Sequence, residues 1–364
     1  MSGKRWCDQY LLGASIILIS IGIVMIYGTT SAISLRTYGD SYHIFKKHLV
    51  WVGIGGVVMF LARRMDYHRI RIFTYPLLFL SFFLLLMVII PSVGTKVGGA
   101  RRWLRLGGLS FQPGELAKVS IIIFLAHSLT KRREEIKEFV QGFLPNIFVV
   151  GLCCLLILVE PDLGTAFLIF VVSMFVMYMG GVSILHLIGL IGVISPMAYF
   201  AVFNVEYRRR RIMAFVDPWK DPQGSGFQII QSLVSFGRGH IAGVGIGEGK
   251  QKLFFLPEAH TDFIFSVIGE ELGLIGSILT LSVFFLLVAR GIRISLKAPD
   301  LYGKYLAFGI TVMLALQIVL NICVTIGLFP PKGIPLPLVS VGGSSLVVAM
   351  GMIGILLNIS EQIR

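Results

Sequence analysis

Long apolar stretches broken by short polar segments run through almost the whole chain. A helix needs about 20 predominantly apolar residues to cross the hydrocarbon core of a bilayer, and roughly ten stretches approach that length. They lie near 10–33, 44–61, 72–91, 115–130, 143–160, 163–181, 183–203, 263–289, 304–329 and 338–358. The pattern predicts an all-α polytopic membrane protein with about ten transmembrane helices, forming one transmembrane domain over residues 1–364. One large loop, 204–262, separates the seventh and eighth helices and is rich in Gly, Pro, Phe and charge. Its length suits short re-entrant or interfacial pieces rather than a separate domain. Lys4 and Arg5 precede the first stretch as they would in a secretory leader. That stretch is longer than the about 7–15 apolar residues of a leader, and no small-residue cleavage site follows clearly, so it reads as a retained span.

Composition agrees with this reading. Of 364 residues, 55% are hydrophobic and 14% charged, against about 25% charged in soluble domains. The net charge of +13 comes from Lys and Arg placed between the apolar runs. That placement suits lipid headgroups and phosphates, and nucleic acid is not an expected partner. Cys7, Cys153, Cys154 and Cys323 show no metal-ligand spacing and read as inert thiols, three of them in apolar runs.

Basic residues in short loops orient a membrane protein. Lys4 and Arg5, then Arg63, Arg64, Arg69 and Arg71, then Lys131, Arg132, Arg133 and Lys137, then Arg290, Arg293, Lys297 and Lys304 fall on one side of a ten-helix arrangement. Both termini are therefore expected in the cytoplasm. The opposite face is also basic, with Lys96, Arg101, Arg102 and Arg105 in one loop and Arg208–Arg211, Lys220, Arg238, Lys250 and Lys252 in the long one. Long loops escape the positive-inside bias but the first of these is short. Either an anionic ligand or the headgroups of the outer leaflet accounts for it.

Candidate chemistry concentrates on that face. Glu258, His260 and Asp262 stand at the membrane surface, immediately before the eighth apolar stretch. Asp262 either caps that helix, as Asp commonly does, or serves as a general base. A metal site from the three is conceivable, but alternate spacing in a loop is weak support. Arg101 and Arg102 beside Trp103 offer phosphate donors and an aromatic face for a sugar. Glu115 and Lys118, three apart at the start of a helix, either pair with each other or contact a ligand. Glu160-Pro161-Asp162 is either a turn or the wall of an external cavity. Ser344, in Gly342-Gly343-Ser344-Ser345, serves close helix packing or, as the alternative, contacts substrate.

These motifs together resemble the SEDS family of bacterial shape, elongation, division and sporulation proteins over about residues 8–362. The resemblance rests on Leu256–Phe263 followed by Gly269-Glu270-Glu271-Leu272-Gly273, on Tyr207–Arg211 with Asp217-Pro218-Trp219, and on the Arg-Arg-Trp, Glu-Pro-Asp and Gly-Gly-Ser-Ser motifs. Ala259 is similar to the cell-division branch, since the elongation branch tends to have Arg or Lys there. Gly98, Gly114 and Val341 depart from the usual Asn, Ser and aromatic residue. The resemblance implies polymerisation of lipid II, a disaccharide-pentapeptide on undecaprenyl pyrophosphate, by inverting displacement to a β-1,4 link. It implies Asp262 as the essential external base and a class B penicillin-binding protein transpeptidase as partner, with other divisome proteins and membrane lipids around it. The expected location is the bacterial cytoplasmic membrane at the division septum. Arg101, Arg102 and Arg211 are then the candidates to stabilise the leaving pyrophosphate, with or without a divalent cation, Mg or Mn. Trp103, Glu115, Lys118, Glu258, His260 and Ser344 complete the substrate-contact candidates. Two rivals remain open at this point: a lipid II flippase, for which no repeated halves are evident, and a non-enzymatic divisome scaffold.

Overall fold

The computed structural model describes residues 7–97, 100–106, 109–252 and 256–363. Lys4, Arg5 and Gly98, which bear on the leader and motif readings, lie outside them. The helices are α1 (Gln9–Tyr38), α2 (His43–Arg64), α3 (Tyr67–Ile70), α4 (Thr74–Ile89), α5 (Pro113–Lys131), α6 (Leu144–Val159), α7 (Leu163–Met179) and α8 (Ile184–Phe203). They continue with α9 (Glu206–Val216), α10 (Phe227–Gly239), α11 (Ile264–Lys297), α12 (Leu301–Thr325) and α13 (Gly343–Glu361). Helix therefore occupies every predicted apolar stretch. Among the described residues, seven helices are long and apolar enough to cross a membrane, with α3 and α4 counted as one run over Tyr67–Ile89. Helices α5, α7 and α8 fill the other three stretches. Helix α7 has 17 residues, and polar Glu115 and Lys118 enter the first turns of α5.

Local signals explain where several helices begin and end. Asp8, Asp66, Asp162 and Asp300 each accept a backbone N–H at the start of a helix, supplying an acceptor to groups that have no partner in the helix itself. The Asp8 and Arg290 side chains pair, and the Asp8 N–H donates to the Ser360 hydroxyl at 3.2 Å. The start of α1 and the ends of α11 and α13 thus share one face of the bundle. Small residues let α2 and α13 approach closely. A Cβ at Gly354 would stand 2.4 Å from the Met59 carbonyl oxygen, so only glycine fits there.

The segment between α4 and α5 forms a small antiparallel sheet, which the apolar pattern did not predict. Its strands are β1 (Gly94–Val97), β2 (Ala100–Leu106) and β3 (Leu109–Phe111), in that order. Thr95 pairs with Trp103 and Lys96 with Arg101, which leaves Arg102 as the extra residue of a bulge. A bulge re-aims a side chain, and here it sends Arg102 toward the α6–α7 turn.

The described residues of the 204–262 segment include α9 and α10. The turn after α10 packs into a break in α11. Gly273 there has φ +66° and ψ −161°, a conformation that a Cβ strongly disfavours. The interrupted backbone groups are satisfied from the turn. Val244 and Gly245 donate to the Glu270 and Glu271 carbonyls at 3.0 and 3.1 Å. In the other direction, Leu274 and Ile275 donate to His240 and Ile241 at 3.0 and 3.2 Å. Irregular backbone at membrane depth persists only where protein supplies such partners. Lys252 is consequently not an external ligand contact. Its ammonium is buried, 2.6 Å from Glu271.

Candidate functional site

Asp262 is set by three elements. Its backbone carbonyl accepts from Asn321 Nδ2 on α12 at 2.8 Å, and the same Nδ2 donates to the Ile334 carbonyl at 2.8 Å. The neighbouring Thr261 carbonyl accepts from Ser340 Oγ at 2.5 Å. The segment before α11 is thereby tied to the 326–342 connection between α12 and α13. Helix α11 starts at Ile264 with Phe263 at the cap position and no side-chain cap bond. The capping alternative for Asp262 is thus removed. Its carboxylate faces a cavity of about 80 Å³ with Arg211, Gln228, Glu258 and Lys332 in the lining. That volume admits a phosphate-sized group or a few waters rather than a disaccharide.

The electrostatics suit a proton acceptor. Burial raises the Asp262 carboxyl to about 7, and the Glu258 carboxylate adds to the rise. Arg211 and Arg102 oppose it, while Asp162 pushes the same way as Glu258. A carboxyl poised near neutrality combines basicity with a useful ionised fraction. Arg211 Nη1 donates to the Pro331 carbonyl at 3.2 Å, which fixes the guanidinium at the rim of the cavity. Lys332 stands 4.1 Å from the centre of the Phe167 ring and 4.6 Å from that of Phe329. Burial lowers its ammonium to about 8.

A second cluster adjoins the first. Arg102 donates to the Glu160 carbonyl at 3.2 Å and to the Pro161 carbonyl, and its Nη1 lies 3.8 Å from Asp162. Asp162 caps α7 through Thr165 and accepts from Gln112 Nε2 at 3.0 Å. It is therefore both a turn residue and part of the wall. Glu160 is buried, its Oε1 has no partner among the described residues, and burial with the Asp162 charge raises its carboxyl to about 8. The Gln112 backbone N–H donates to the Ser344 hydroxyl at 3.2 Å, so Ser344 serves as a tie between α5 and α13.

Among the remaining candidates, Glu258 shares the cavity with Asp262. Arg101 and Trp103 sit on β2 opposite Lys96 and Thr95. The bulge brings Arg102 to the Glu160–Asp162 turn. Glu115 and Lys118 form a buried ion pair of 2.7 Å, as the pairing alternative has it. Glu258 is exposed and accepts from the Thr261 hydroxyl at 2.8 Å. His260 is held by its carbonyl, which accepts from the Val341 N–H at 2.9 Å. Because that contact is made by backbone, the Val341 departure does not remove it. Burial lowers the His260 imidazole, and its buried Nδ1 has no partner among the described residues. Among the described residues no three His, Cys, Asp or Glu converge to hold a metal.

Sequence reasoning missed Lys332, Gln112 and Gln228. Lys332 lies far from Asp262 in sequence, and only the return of the α12–α13 connection joins them. The available signal was Pro330-Pro331-Lys332-Gly333, a basic residue fixed by two prolines just before the last apolar stretch.

Fold and site thus define a polytopic membrane protein with a carboxylate and cations gathered at one membrane face. The chain belongs to the FtsW/RodA/SpoVE family, whose profile, described as cell cycle protein, matches residues 9–364. It is 43% identical over 357 residues to a probable peptidoglycan glycosyltransferase FtsW of Geobacter metallireducens, covering 98% of this chain and 95% of that one. It is 41% identical to stage V sporulation protein E of Bacillus subtilis, covering 98% of each. Among solved structures it is similar to a chain of a peptidoglycan synthase complex that coordinates polymerisation and crosslinking. That match has a TM-score of 0.79 and 30% identity over 98% of both chains. The rod-shape determining protein RodA of Thermus thermophilus matches with a TM-score of 0.73 and 27% identity, over 98% of this chain and 97% of RodA.

Proposed function

We propose that the chain is a peptidoglycan glycosyltransferase that polymerises lipid II during cell division. The observation that carries this reading is the Asp262 carboxylate, raised to about 7, free of any capping role and facing a cavity rimmed by cations. In the reaction, the 4-hydroxyl oxygen of the acceptor GlcNAc forms a bond to the anomeric carbon of the donor MurNAc. Asp262 takes the hydroxyl proton as that bond forms. The bond from the anomeric carbon to the phosphate oxygen breaks with inversion, and its electron pair leaves on undecaprenyl pyrophosphate. Arg211, Lys332 and Arg102 stabilise the charge that gathers there. Glu258 and the neutral His260 line the approach to the base. The polyprenyl chains lie against the apolar helices. A divalent cation at the pyrophosphate would supply further neutralisation of the leaving charge.

The chain works in the cytoplasmic membrane at the septum, with ten passes and both termini in the cytoplasm. A class B penicillin-binding protein crosslinks the strands it makes, which accords with the two activities that the similar synthase complex coordinates. Purified protein reconstituted with labelled lipid II tests the reading. Glycan strands are the expected product. Transfer of lipid II between leaflets without strands would establish the flippase reading, and neither outcome would leave a scaffold.

A further inference from the structure

A second cavity stands at the other end of the bundle, far from Asp262. It measures about 330 Å³ and lies where the start of α1 meets the ends of α11 and α13. Its lining includes Asp8, Tyr10, Arg290, Arg293, Lys297 and Ser360. Three cations therefore face one carboxylate. That carboxylate is already engaged, because Arg290 grips Asp8 through contacts of 3.1, 2.8 and 2.5 Å. The Arg290 guanidinium also lies 5.1 Å from the centre of the Tyr10 ring, so its orientation is fixed before any ligand arrives. Arg293 and Lys297 follow at three and seven positions along α11 and lie on the same side of it. Both are exposed, and among the described residues neither has an acidic partner.

The surroundings select the ligand. On the same stretch of α11, Phe285 and Leu296 are 76% and 65% exposed, as expected of a helix whose flank meets lipid. A polar, cationic hollow at the end of such a flank stands at headgroup depth. We propose that this pocket binds the phosphate of an anionic phospholipid, with Arg293 and Lys297 as its donors, Arg290 as the pre-oriented floor, and the acyl chains along α11. The pocket takes no part in the polymerisation chemistry. A bound headgroup there fastens the α1–α11–α13 junction.

The test is native mass spectrometry of the full chain in detergent, titrated separately with phosphatidylglycerol, phosphatidylcholine and inorganic phosphate. The variants are Arg293→Gln/Lys297→Gln and, as a control on the same face, Lys131→Gln. The expected result is a tight phosphatidylglycerol adduct whose affinity falls about thirtyfold in the double variant and stays unchanged in the control. Since both altered side chains are exposed, the double variant should melt like the wild type. Wild-type affinity in the double variant would overturn the proposal. So would equal binding of phosphatidylcholine, or binding of inorganic phosphate alone, which would make the site one for a soluble anion. As a check independent of any variant, rising salt should weaken the wild-type adduct, and insensitivity to salt would also overturn it.

Discussion

Lys252→Met separates a structural from a ligand role for a basic residue of the large loop. The Lys252 ammonium lies 2.6 Å from Glu271 Oε1 and donates to the Gly247 carbonyl at 2.7 Å. The two side chains are 5% and 2% exposed. Removing one partner of such a pair leaves an uncompensated buried charge, at a cost of about 3–5 kcal/mol. Glu271 keeps one bond, from the Gly247 N–H at 3.0 Å, so the lower end of that range is expected. Lys252→Met/Glu271→Gln removes both charges and should recover to within about 1 kcal/mol of wild type. Unfolding in mixed micelles with increasing SDS, run on both variants and on the wild type, gives the difference. The single variant should also lose polymerisation, because the 247–252 turn leads directly to the segment carrying Asp262. Equal stability of the single and double variants would refute the account of this loop.

The raised Asp262 carboxyl gives a pH dependence: the basic form accumulates as pH rises through about 7, so polymerisation should climb to that point and level above it. A flat profile from about pH 5.5 to 8 would contradict a base of this kind. Arg102→Ala should cut polymerisation about tenfold or more, the worth of a charged hydrogen bond, while Arg101→Ala costs less. Equal losses in parallel strand-synthesis assays would give the two arginines a common role. Gly273→Ala should destabilise by about 1–3 kcal/mol, the usual cost of a side chain in disallowed backbone space, and would be read in the same SDS titration.

Most of the helical architecture was legible because bilayer thickness imposes one length on every span, so the apolar stretches nearly coincide with the helices. The β1–β3 sheet was not, since its polar strands are short and carry no apolar period of their own. The break at Gly273 was hidden for a different reason. Leu272 and Leu274 continue the apolar run, and the groups that satisfy the open backbone come from His240–Gly245, a separate segment. At the site, Asp262, Arg102 and Arg211 were identified from residue type, position and resemblance. Lys332 and Gln112 needed tertiary contacts that no local spacing encodes. The placing of Arg102 against Glu160 was not legible either, because it depends on a bulge that is invisible in the sequence.

The central claim rests on Asp262, and Asp262→Asn tests it most directly. Folding raises this carboxyl from 3.8 to about 7. A carboxyl raised on folding opposes the folded state progressively as pH climbs through that window, and fully above it. At 1.36 kcal/mol per pH unit the opposition is about 4 kcal/mol, or about 2 kcal/mol once solvent screening of the partly exposed group is allowed for. The Asn variant should therefore be no less stable than wild type at pH 8. Its rate of glycan-strand synthesis from lipid II in reconstituted membranes should fall about 10²–10⁴-fold, the worth of a positioned base. A stable Asp262→Asn protein that polymerises lipid II at the wild-type rate would contradict the account.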